Sequence, residues 1–240
     1  MHRLRHPAIN KLRGHSVNNL TSTLFSKTAL ILIGLILVTP VYAEPDSFKS
    51  KLEARINAST ANEEARQQTI KQGREQAFFC ANCHGKDGNS TKDDVPNLAG
   101  QKPIYLLQQI NAFATGKRKD YTTVMQQLAS KLTEEEQLSL AVYFSSVTPK
   151  FISRKLDPDL MADGLELYKS KCSSCHGATG AGTKDFARIA GQNMGYLKLT
   201  LSNFRDGRRN RQSQVMGPIT KGLTDKDIES LVAYISQLKP

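Results

Sequence analysis

Apolar residues recur along much of the chain at the spacing of a helix. Ile228, Leu231, Val232, Ile235 and Leu238 fall at i, i+3, i+4, i+7 and i+10, one stripe down a single helical face. Tyr105 to Ala114 and Tyr196 to Phe204 predict two more helices, each closed by a nearby glycine, Gly116 or Gly207, where a helix C-terminus favours one. Thr133-Glu-Glu-Glu136 is a capping box: the hydroxyl can take a free amide of the first turn while Glu136 reaches back. Thr224 followed by Asp227 is a weaker version of the same signal. A further helix is expected from Gly73 or Gly164 towards a cysteine motif in each half. No stretch alternates β-branched and polar residues as a strand would, so the chain reads as all-α, with three to four short helices per half.

These elements come in pairs. Leu98-Ala-Gly-Gln101 returns as Ile189-Ala-Gly-Gln192, an offset of 91 residues. The same offset relates Tyr105-Leu106 to Tyr196-Leu197, Phe113 to Phe204, Gly116 to Gly207, Val124-Met125 to Val215-Met216 and Leu132-Thr133 to Leu223-Thr224. Ser139-Leu140 and Tyr143 likewise match Ser230-Leu231 and Tyr234. The chain is therefore a tandem duplication. Domain 1 is expected over 73–148 and domain 2 over 164–240, with a proline-bounded linker at 149–163 that includes Asp157-Pro158-Asp159.

Ahead of the repeat the pattern changes. Ala29 to Val38 is an uninterrupted apolar run, preceded by Arg3, Arg5, Lys11, Arg13 and Lys27 and followed by Pro40 and Val41-Tyr42-Ala43. A basic region, a short apolar run and small residues at a cleavage site make an export signal over 1–43, cut after Ala43. The run is well short of the ~20 apolar residues that cross a bilayer; a retained segment would instead tether the protein to a membrane. Residues 44–72 carry balanced charge and read as a polar, partly helical, solvated leader. The formal net charge is +11, and beyond the signal all of the excess lies in 164–240, with Arg205, Arg208, Arg209 and Arg211 prominent. Export argues against nucleic acid as the destination for that charge, and an acidic docking surface on a protein partner fits it better. Tryptophan is absent and aromatics are 7% of the chain. Small domains with so little aromatic bulk often rely on something other than side chains to complete the interior.

Cysteine and histidine usage points to what that is. The four cysteines form two identical patterns, Cys80-Ala-Asn-Cys83-His84 and Cys172-Ser-Ser-Cys175-His176, and every histidine beyond residue 43 belongs to one of them. Two C-x-x-C pairs could also bind zinc, form a redox couple or close disulfides. None of those needs a histidine directly after both pairs, and the redox couple needs a βαβ setting that is missing. C-x-x-C-H attaches c-type haem. Two thiols one helical turn apart reach the two vinyl groups, and the adjacent imidazole takes one axial position on iron.

No spare histidine is left for the other axial position, which leaves Met125, Met161, Met194 and Met216, or no protein ligand at all. Met125 and Met216 correspond across the repeat, 41 and 40 residues after His84 and His176. Met194 aligns with Pro103, and Met161 has no counterpart. The expected axial pairs are therefore His84 with Met125 and His176 with Met216.

Two fused domains, each with C-x-x-C-H-G, then [LI]-A-G-Q, Y-L, F, a G-[KR]-R stretch, V-M and a final amphipathic helix, resemble the dihaem cytochrome c4 family over residues 73–240. The resemblance implies two class I cytochrome c domains related by a pseudo-twofold, two covalent haem c groups and periplasmic electron transfer without catalysis. It implies that Pro96 offers its carbonyl to the N–H of His84, a bond that orients the ligand. The second copy has Ala187-Arg188 in that place, which puts its matching bond in question. The expected partners are a quinol-oxidising cytochrome complex and a terminal oxidase. The alternatives are a haem subunit of a periplasmic dehydrogenase and a dihaem peroxidase, the last requiring one open iron that equivalent methionines argue against.

Overall fold

The computed structural model describes residues 47–120, 122–208 and 214–239. The signal segment, its cleavage site, Arg209 and Arg211 lie outside the described residues, among which no helix is long and apolar enough to cross a membrane. The described chain is helical, with no strand among the described residues.

Helices α1 (Ser47–Ser59) and α2 (Glu63–Gln76) come first, followed by the short α3 (Ala81–His84). Then come α4 (Pro103–Ala114), α5 (Val124–Ala129) and α6 (Glu134–Ser146). The second half repeats the order with α7 (Pro158–Lys171), α8 (Ser173–His176), α9 (Met194–Arg205), α10 (Met216–Thr220) and α11 (Asp225–Gln237). Thus α2 to α6 correspond one for one with α7 to α11.

The first helix of each half packs most extensively on the last, α2 on α6 and α7 on α11. Glycine permits both crossings. Gly73 lies against the backbone carbonyl of Ser139, and Gly164 against that of Ser230; a Cβ at either would drive into it. These helices were expected to begin at the glycines, but they begin at Glu63 and Pro158 and carry the glycine in their interior. A residue that costs ~1 kcal/mol in a helix is kept because only a bare Cα fits the crossing. Asn62 and Asp157 cap the two starts with their side-chain oxygens.

The last helices are both fully boxed. Thr133 and Glu136 exchange bonds of 2.8 and 3.2 Å at α6, and Thr224 and Asp227 exchange bonds of 2.8 and 3.1 Å at α11. The shorter aspartate closes its box as completely as the glutamate does. Gly116 and Gly207, at φ 71° and 61°, follow α4 and α9 in the left-handed conformation expected of them.

Each half has its own apolar core. Ile104, Leu107, Leu140, Val142 and Phe144 pack in the first, and Tyr168, Leu197, Ile228, Leu231 and Ile235 in the second. The leader carries α1 and the start of α2 and is only partly solvated. Leu52 and Ile56 of α1 are buried in the first core, while Lys49 and Glu53 on the same helix pair with Asp185 (2.5 Å) and Lys184 (2.8 Å) of the second half. Between the halves, residues 149–157 run without helix. Asn89 holds this segment through its Oδ1 to the Lys150 amide at 2.7 Å, and Gln237 accepts the Arg154 amide at 3.1 Å.

Candidate haem sites

In both halves the second cysteine and the histidine lie in one short turn of helix, α3 or α8, with the first cysteine at its N-cap, and a glycine at φ 78° (Gly85) or 79° (Gly177) ends that turn. Few residues other than glycine adopt that conformation readily, so the chain can leave the imidazole sharply and run on to the A-G-Q turn. Main-chain bonds hang the turn in the same way twice. Leu98 and Ile189 donate to Gly88 and Gly180 at 2.8 Å, while Gly100 and Gly191 donate to Phe144 and Ile235 on the last helices.

That loop delivers a carbonyl to the histidine. His84 Nδ1 lies 3.0 Å from the Pro96 oxygen, and His176 Nδ1 lies 2.8 Å from the Ala187 oxygen. A carbonyl only accepts, so Nδ1 carries the proton and Nε2 is left with a free lone pair, the state a metal-ligating imidazole needs. The bond in question for the second copy is therefore present without a proline, because the peptide oxygen supplies it. Burial holds both imidazoles below their usual pKa, offset in part by these carbonyls.

No disulfide joins the four cysteines. Burial raises the Cys80 thiol and pushes Cys172 up to about 11. Reactive redox cysteines and thiolate metal ligands are stabilised in the opposite direction. Among the described residues, no group of three or more His, Cys, Asp or Glu side chains converges, so the two pairs do not assemble a Cys₄ zinc site. Paired neutral thiols beside an imidazole with a free Nε2 are what covalent haem attachment uses, and the residues fit that group.

Of the methionines, Met216 opens α10 and packs on the second core together with Cys172, which brings an expected ligand and an attachment residue to one cluster. Met194 joins the same core from the start of α9. Met125 is half-buried on α5, the element matching α10, and Met161 is half-buried on α7.

The two halves meet at the A-G-Q turns through a reciprocal set of bonds. Gln101 donates from Nε2 to the Arg188 carbonyl at 2.8 Å and accepts the Arg188 amide at 2.7 Å. Gln192 does the same to Asn97, at 3.0 and 2.7 Å. Asn97 and Arg188 are equivalent, as are Gln101 and Gln192, so the repeat is related to itself here by a local pseudo-twofold. Further contacts have no mirror image. Asp93 caps α9 across the seam, its Oδ2 accepting the Gly195 amide and its main-chain oxygen the Tyr196 amide, both at 2.8 Å. Asn193 Nδ2 donates to Val95 at 2.8 Å and Lys92 at 3.0 Å. Sequence reasoning missed the glutamines, because a conspicuous A-G-Q marks the repeat without saying what its amide reads.

The basic excess of the second half is less available than its count suggests. Arg205 pairs with Asp206 and Asp225, each at 2.7 Å, Arg208 also pairs with Asp206, and Arg188 is buried.

A family model for cytochrome c matches residues 70–148 and again 161–239. Fold and paired motifs together define a tandem c-type cytochrome with two covalent haem c groups, its C-x-x-C motifs being Cys80/Cys83 and Cys172/Cys175. The chain is 34% identical to cytochrome c4 of Pseudomonas aeruginosa over 180 residues, 69% of this chain and 87% of that one. The crystal structure of reduced recombinant cytochrome c4 from Pseudomonas stutzeri superimposes with a TM-score of 0.66 at 30% identity, over 71% of this chain and 98% of that one. The chain belongs to the dihaem cytochrome c4 family and is a dihaem electron-transfer cytochrome. It is also 26% identical to a thiosulfate dehydrogenase electron acceptor of Thiomonas intermedia, over 67% of this chain and 79% of that one.

Proposed function

We propose that this protein relays single electrons in the periplasm between a quinol-oxidising cytochrome complex and a terminal oxidase, without catalysing bond formation itself. The observation that carries this reading is the equivalence of the two sites: each imidazole is tied through Nδ1 to a loop carbonyl, at 3.0 and 2.8 Å. When bound, haem c supplies a one-electron Fe(III)/Fe(II) couple. His84 and His176 would give Nε2 to the two irons, and Met125 and Met216 would give thioether sulfur. Pro96 and Ala187 keep the imidazoles from rotating, so ligation changes little between oxidation states. A ligand pair of this kind raises the potential relative to a stronger donor and leaves no position for a substrate. The glutamine seam supports relay by holding the two domains as one pair.

Acceptance of electrons from a periplasmic dehydrogenase is the second reading, favoured by the likeness to a thiosulfate dehydrogenase electron acceptor. Stopped-flow mixing of the oxidised protein with each reduced donor separates the two. Rapid reduction by the quinol-oxidising complex, followed by oxidation on adding the oxidase, is the expected result. Reduction only by the dehydrogenase selects the second reading, and peroxide turnover by the cytochrome alone overturns both.

A further inference from the structure

The position after each ligand-holding carbonyl is buried in both halves, yet it is Asn97 in one and Arg188 in the other. Arg188 is 4% exposed. Its Nη2 donates to the Ala99 carbonyl at 2.8 Å and its Nη1 to the Ala190 carbonyl, so the guanidinium spans the two equivalent A-G-Q turns across the seam. Its Nε is buried with no hydrogen-bond partner, and so is Oδ1 of Asn97. Burial pushes the guanidinium down to about 10, and no carboxylate offsets it.

Two neutral carbonyls are poor compensation for a buried cation, whose desolvation is normally met by an anion. Each of the two haems brings carboxylates of its own. Arg188 adjoins Ala187, the residue that holds His176, and so stands beside a haem site in the chain. We propose that Arg188 is the ionic partner of a haem propionate at the seam between the domains. Pairing cancels negative charge close to an iron in a medium of low dielectric. The ferric state loses that stabilisation, so the midpoint potential of the paired haem rises. Asn97, uncharged at the same place, offers no such partner, and the duplicated sites become electrostatically unequal. The assignment rests on both haems being in place, independent of which proteins donate or accept electrons.

Spectroelectrochemical titration of Arg188→Met and Arg188→Lys tests it, with haem content and the near-infrared sulfur-to-iron band recorded on the same samples. Arg188→Met is expected to lower at least one midpoint potential while keeping two haems per chain and an unchanged band, and Arg188→Lys to retain most of the wild-type value. Wild-type potentials in Arg188→Met overturn the proposal. Should that variant fail to fold, redox-difference infrared spectra of the wild type and Arg188→Lys, with ¹³C at the haem carboxylates, decide it. A labelled carboxylate band that moves with the substitution supports the pairing, and an identical band in both proteins overturns it.

Discussion

The two loops that follow the haem motifs do the same work with different residues. Pro96 and Ala187 place a carbonyl oxygen at 3.0 and 2.8 Å from the histidine they serve. One residue later the halves diverge, with neutral Asn97 in the first and cationic Arg188 at the equivalent buried position of the second. What the main chain supplies survives a change of side chain, and what a side chain supplies does not. After duplication, such a protein can therefore keep ligand geometry constant while the electrostatics of the two sites drift apart.

The largest effect that could break this comparison comes from the attachment residues. Replacing Cys172 and Cys175 together by alanine should halve the haem per chain measured by pyridine haemochrome and leave the first site loaded; loss of both haems would mean that the sites are not independent. Next are the helix crossings. Gly73→Ala and Gly164→Ala should each cost about 3 kcal/mol in denaturant unfolding, because each Cβ meets a backbone carbonyl. A harmless substitution in either half would show that the crossings are not equivalent.

The seam comes third. Gln101→Ala and Gln192→Ala should each lose about 2 kcal/mol by the same measurement, since each strands a buried amide and carbonyl of the other domain. Markedly unequal losses would place the weight of docking on the unsymmetrical contacts of Asp93 and Asn193. The smallest effect sharpens the comparison most. Pro96→Ala should leave the potential and ligation of the first haem unchanged and reduce stability by only about 0.5 kcal/mol through the freer unfolded chain, because Ala187 already does this work in the second half. A displaced His84 ligand signal in that variant would contradict the reading.

Much of this architecture was legible before any coordinates. The 91-residue offset, the Thr133 and Thr224 boxes and the cysteine motifs are local signals, and local signals survive translation into structure. The missed features are those in which a residue acts across a distance. Gly73 and Gly164 read as helix starts because glycine is a poor helix former, whereas their purpose lies on α6 and α11. Leu52 and Ile56 belong to a short apolar stripe in a charged segment, too short to announce that α1 is buried on the first core. Asp93 looks like one of several loop acids, and only the fold makes it a cap for α9. Nothing in the residues around Arg188 reveals that the other domain covers it. The bond to His176 reads as open because the second copy lacks the proline, whereas the peptide oxygen of any residue in that place can supply it.

The most direct test of the central claim is a spectroelectrochemical titration of the oxidised, purified protein, following haem content, spin state and the near-infrared sulfur-to-iron band. The account predicts two low-spin haems per chain, both with the thioether band, and two one-electron steps. A high-spin signal at either centre, or a single haem per chain, would contradict it.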